Sequence, residues 1–118
     1  MKMLTKKLET LFEKEFPLYS QDGKGFDAKV IVKYFNPSGA GDWLITEAKK
    51  EGNDWLMFGF CHLGHDEFAE LGYVSLNELK ALKVPPFNLG IERNMYYEPA
   101  SQTLKEAIRE KHWNISIE

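Results

Sequence analysis

The sequence offers one cysteine, Cys61, so an internal disulfide framework is excluded and a reducing compartment is expected. Long apolar runs are also missing. The longest apolar stretch lies near Trp55–Cys61, far short of the ~20 residues of a membrane helix. Lys and Glu interrupt Met1 to Leu18 every few residues, so the apolar core of a secretory signal is absent and a cytoplasmic protein is expected. Neither charge sign dominates: fifteen Lys and Arg stand against eighteen Asp and Glu. There is no phosphate loop, no GxGxxG and no GxSxG elbow, and Gly39-Ala40-Gly41 falls in a turn rather than at a helix start. No internal repeat or low-complexity run is present.

What is present suffices for one core. The chain has 118 residues, 43% of them apolar, and residues 1–118 read as a single domain. Leu8, Leu11, Phe12 and Phe16 recur at helical spacing, predicting a helix from Thr5 to about Phe16 that Pro17 ends. Ala28 to Phe35 reads as a strand with Ala28, Val30, Val32 and Tyr34 on one face. Asn36 to Gly41 is turn chemistry, Trp43 to Ala48 is the returning strand, and Trp55 to His62, apolar on both faces, is the expected central strand. Gly72-Tyr73-Val74 is a short strand. Ser75 and Glu78 form a capping box for a helix stopped by Pro85-Pro86, with Leu76, Leu79 and Leu82 as its apolar edge. Ile91 to Tyr97 is a further strand with Ile91, Arg93, Met95 and Tyr97 on one face. Thr103 and Glu106 cap a last helix packed through Leu104, Ala107 and Ile108, and Asn114 to Glu118 is a tail or a short added strand. The order predicts an α+β domain: a mainly antiparallel meander of four to five strands with helices packed on one face.

The charge is unevenly placed. Residues 36–78 hold only Lys49 and Lys50 against eight acids, which disfavours phosphate binding there and suits a cationic partner or plain solvation. Cys61, His62, His65, Asp66, Glu67 and Glu70 form the densest polar cluster. His62 and His65 are weak candidates for metal ligands, set against a polar loop capping a buried strand. Glu47 alternates onto the face of Trp43 and Ile45. A carboxylate there would have a raised pKa and serve as a general base, or would pair with a lysine such as Lys33 across the hairpin. Arg93 on an apolar face needs a carboxylate partner, Glu47 or Glu70, and its alternative is anion binding. Trp43, Trp55, Phe58, Phe60, Tyr96 and Tyr97 would stack bases if exposed, and otherwise belong to the core.

Four segments together resemble the bacterial family called domain of unknown function 2958: Lys33 to Glu47, Phe58 to Gly64, Glu70 to Leu79, and Gly90 to Tyr97. The resemblance covers about residues 1–105. It implies a small bacterial accessory protein carried on plasmids and other mobile genetic elements, with no established reaction, cofactor or ligand. It singles out Glu47, Glu70, Tyr73, Glu92 and Arg93 as a polar site, while Asn94 stands where members commonly carry Asp. The expected role is a protein-binding module. The alternatives are an enzyme using Glu47, Glu70 and Arg93, which requires the three to converge in one pocket, and a nucleic-acid-binding accessory protein.

Overall fold

The computed structural model describes residues 2–117. Helix α1 spans Lys6–Lys14. Thr5 caps it by accepting from the Leu8 amide, and Leu8 and Phe12, one turn apart, are its buried residues. After Pro17 the chain runs through turns and a single 3-10 turn, Gly25–Asp27, into the strands.

Strands β1 (Lys29–Val30) and β2 (Val32–Phe35) replace the single strand expected over Ala28–Phe35. The Ile31 amide bonds the Ile45 carbonyl at 2.8 Å while Val32 is the residue in register with Ile45. Two residues thus oppose one, and this bulge reverses the alternation. Val32 and Tyr34 join one apolar cluster and Ala28 and Val30 the other, so the four do not share a face.

Strand β3 (Asp42–Glu51) returns across the Asn36–Gly41 turn, and β4 (Asp54–His62) follows through Gly52 and Asn53. Strand β5 (Glu70–Ser75) continues the antiparallel meander and is longer than expected. Ser75 then caps α2 (Leu76–Ala81) with the full box to Glu78. The helix ends before Leu82, which is left exposed, and a small hairpin of β6 (Lys83–Val84) and β7 (Leu89–Gly90) encloses the two prolines. Strand β8 is only Glu92–Arg93, paired with β2. The Asn94 side chain then accepts from the Tyr96 amide and turns the chain. Ile91 stays in the core beside Tyr34, Met95 is exposed, and Tyr97 lies against the other cluster, so the expected seven-residue strand with one shared face is not formed. Strand β9 (Gln102–Thr103) pairs with β1, and Thr103 and Glu106 box the start of α3 (Leu104–Glu110). Residues 114–117 form a tail without strand structure, and Glu118 lies outside the described residues.

The main sheet has the order β5-β4-β3-β2-β8 and is antiparallel throughout, which is the expected α+β meander. Met57 in β4 is fully buried, and that strand lies inside the sheet as predicted. α1 and α2 cover one face through Leu8, Phe12, Leu76 and Leu79, packed on Ile45, Trp55 and Met57. α3 adds a layer on the opposite face, where Leu104, Ala107 and Ile108 meet Leu44 and Phe60. Expecting all helices on one face left out this second layer. It follows from the alternation itself: Leu44 and Phe60 point away from Ile45 and Met57 and need their own cover.

Candidate functional site

Glu47 is turned by a second bulge. Ile45 faces Gly59 and Glu47 faces Phe58, so Thr46 is an extra residue in β3. Its hydroxyl bonds the Phe58 carbonyl at 3.2 Å. Glu47 therefore lies on the α3 face with Phe58, not with Trp43 and Ile45 as alternation predicted. The side chain is buried, at 3% exposure. One carboxylate oxygen accepts from the Tyr19 amide at 2.9 Å and the other from the Gln21 amide at 3.0 Å. The expected pairing with Lys33 is not made. The Lys33 ammonium donates to the Gln102 side chain at 2.6 Å and sits 4.5 Å above the Tyr97 ring, and its pKa is lowered chiefly by burial.

The loop over Glu47 is held by Gln21. Its amide nitrogen donates to the carbonyls of Lys29 and Thr46, and its oxygen accepts from the Lys29 amide. Tyr19 adopts φ 75°, a left-handed conformation uncommon for a non-glycine residue. That conformation accompanies the aim of its amide at Glu47. A cleft of ≈ 370 Å³ opens here, lined by Gln21, Asp22, Thr46, Glu47, Phe58 and Leu71 among others.

Tyr73 extends the row. It faces Phe58 across the β4–β5 ladder, with ring centroids 5.0 Å apart and an interplanar angle of 61°. Its phenol ionisation is pushed up by desolvation first, then by the neighbouring Tyr19, and by Asp22 and Glu47. Glu47 and Tyr73 thus converge, with Tyr19 and Asp22 added. Sequence reasoning missed Tyr19, Gln21 and Asp22, because an irregular loop has no periodicity to read.

The other expected residues lie elsewhere. Glu70 faces Cys61 on the α1 side of the sheet, at its outer edge. Glu92 and Arg93 sit on β8, at the far edge, with Arg93 beside Tyr34 and its Nε donating to the Lys2 carbonyl at 2.9 Å. The proposed partnerships of Arg93 with Glu47 or Glu70 are excluded by this topology. Glu47, Glu70 and Arg93 occupy three strands and both faces and do not form one pocket. The Cys61 thiol is pushed up by burial, then by Glu70 and Asp42, which makes it a poor nucleophile.

His62 is a structural residue. Its Nδ1 accepts from the Gly64 amide at 3.1 Å, which places the proton on Nε2, and Nε2 donates to Asp66 at 2.7 Å. Its ring stacks on Trp113 at 4.1 Å, almost parallel. Both nitrogens are engaged, so the ring has no lone pair for a metal. His65 lies instead against Phe68. Among the described residues no group of three His, Cys, Asp or Glu is placed to hold an ion. Asp66 also accepts from the Asn114 amide, so this clamp fixes the start of the tail.

The His62 bond, followed by the Asn114 bond, holds the Asp66 carboxyl below its ordinary value of 3.8. A depressed folded-state pKa adds stability above the unfolded value, and that stability is lost as pH falls through the folded one. Thermal melts should show Tm falling below about pH 4. Asp66→Asn should flatten that part of the profile, and an unchanged slope would remove Asp66 from the acid transition.

No helix among the described residues is long and apolar enough to cross a membrane. No curated protein and no solved structure matches the chain. The family model for "Protein of unknown function (DUF2958)" matches residues 3–113, and this coverage of nearly the whole fold shows that the chain belongs to that family.

Proposed function

We propose that the chain is a protein-binding module that receives an extended, basic segment of its partner along β5. The observation that carries this reading is the uncovered edge. β5 is six residues long, in continuous register with β4, and at the end of the sheet. Among the described residues no backbone hydrogen bond from outside the sheet reaches Glu70–Val74. The strand lacks the lysine, proline or bulge that usually protects an edge, and it exposes Leu71 and Tyr73. Strand addition uses such an edge for main-chain pairing and its side-chain rows for specificity. Charge selects the partner: there is no Lys or Arg from Glu51 to Leu79, while Asp54, Asp66, Glu67, Glu70 and Glu78 lie in that span. A cytoplasmic accessory role in mobile elements, with a conjugation or host-defence component as partner, extends the proposal on the family resemblance alone.

Photocrosslinking tests it. p-Benzoylphenylalanine in place of Tyr73 should capture a discrete protein from the native host, more weakly as salt rises. The same residue in place of Tyr96, 94% exposed beyond the opposite edge, should not. Equal capture at both positions, or none at position 73, refutes the reading. For the nucleic-acid alternative, a low-salt mobility-shift assay with single- and double-stranded DNA should show no shift, because the acidic edge repels phosphate.

A further inference from the structure

We propose that the cleft at Glu47 is an arginine pocket: it seats one guanidinium of the basic segment that lies along β5. This inference rests on the reading above and names the side chain that the partner must supply.

A buried charge needs compensation. Among the described residues Glu47 has two backbone amides as hydrogen-bond partners and forms no ion pair with Lys, Arg or His. Each carboxylate oxygen retains acceptor capacity beyond its one amide. The carboxylate lies on the wall of a ≈ 370 Å³ cleft, not in sealed core. Phe58 of β4 and Leu71 of β5 are among its lining residues, so the cleft extends to the edge strand.

Two aromatic residues adjoin this wall: Tyr19, whose amide bonds Glu47, and Tyr73, edge-on against Phe58, are 60% and 56% exposed. Aromatic faces and a carboxylate together recognise a planar, weakly hydrated cation, and guanidinium meets that description better than an ammonium. Asp22, also on the wall, supplies a second negative charge at the mouth. The pocket is preformed: Gln21 fixes the loop through three bonds to backbone, and Tyr19 keeps its left-handed conformation with its amide spent on Glu47.

The test is an amide-resolved NMR titration of the full chain with N-acetyl-arginine amide, and with N-acetyl-citrulline amide as the neutral isostere. Arginine should shift the amides of Tyr19, Gln21, Glu47 and Tyr73, and citrulline should not. Glu47→Gln should weaken binding roughly tenfold, the worth of one charge-assisted hydrogen bond. Tyr73→Ala, at an exposed position where folding is preserved, should also weaken it and keeps the test valid if Glu47→Gln unfolds. Equal shifts with citrulline, shifts centred on Glu67 and Glu70, or full affinity in Tyr73→Ala overturn the pocket. Capture at position 73 without arginine binding removes the pocket and leaves the β5 reading. Arginine binding without capture removes the β5 reading and leaves a free-standing cation site.

Discussion

Gly59→Ala should lower stability by about 3 kcal/mol, the upper part of the range for forcing atoms into a packed core. A Cβ at Gly59 would overlap the Leu44 carbonyl oxygen and come within 2.8 Å of the Ile45 Cα. Both obstacles are backbone, so no side chain can swing aside. The cause is the bulge at Thr46: β3 presses its main chain on β4 just where it gains a residue. Relief would require β3 to shift, and Glu47 would move with it. Gly72→Ala is the control. Gly72 faces Gly59 across the next ladder, yet its added Cβ meets nothing within 4 Å. Urea denaturation should show a lower midpoint at unchanged slope for Gly59→Ala and a midpoint near the parent for Gly72→Ala. Equal midpoints in the two variants would mean that the close approach is not a feature of the folded protein.

Gln21→Ala should cost about 3 kcal/mol as well, for a different reason. Gln21 is 5% exposed, and its side chain satisfies the Lys29 amide, the Lys29 carbonyl and the Thr46 carbonyl. Removing it leaves three main-chain groups without those partners, and unmet buried groups are costly to desolvate. The loss should be local as well as global. Hydrogen exchange at the Tyr19 and Gln21 amides, which Glu47 holds, should accelerate more than exchange in β4. Gln21→Glu sets a carboxylate oxygen against the Lys29 and Thr46 carbonyls, with Glu47 close by, and should be no more stable than Gln21→Ala. Stability equal to the parent in Gln21→Ala would show that the loop is not anchored through this side chain.

These two variants mark where reading the chain succeeds and where it stops. Both capping boxes, the Asn36–Gly41 hairpin and the place of Trp55–His62 inside the sheet, though beside its edge strand and not at its centre, depend on residues close in sequence or on an unbroken apolar run, and all are found in the structure. The failures share one origin. At Ile31 and at Thr46 a strand gains one residue, and everything beyond points to the other face. Nothing in Val30-Ile31-Val32 or Ile45-Thr46-Glu47 announces the slip, because each residue suits a strand. The resemblance grouped Glu47, Glu70, Tyr73, Glu92 and Arg93; Glu47 and Tyr73 share a face of the sheet, while three-dimensional placement sends Glu70, Glu92 and Arg93 to the other face or the opposite edge.

The amino-acid order by itself determined the family, through its four motif segments, and also the α+β class, the helix starts and the order of the meander, since local hydrogen-bond chemistry and apolar periodicity fix these last three within a few residues. Only the tertiary structure decided which way Glu47 faces, that Tyr19 and Gln21 close over it, and that α3 covers a second side of the sheet. Those outcomes depend on pairing between strands and on backbone groups far apart in the chain, and a one-residue change of register reverses them without altering a single local preference.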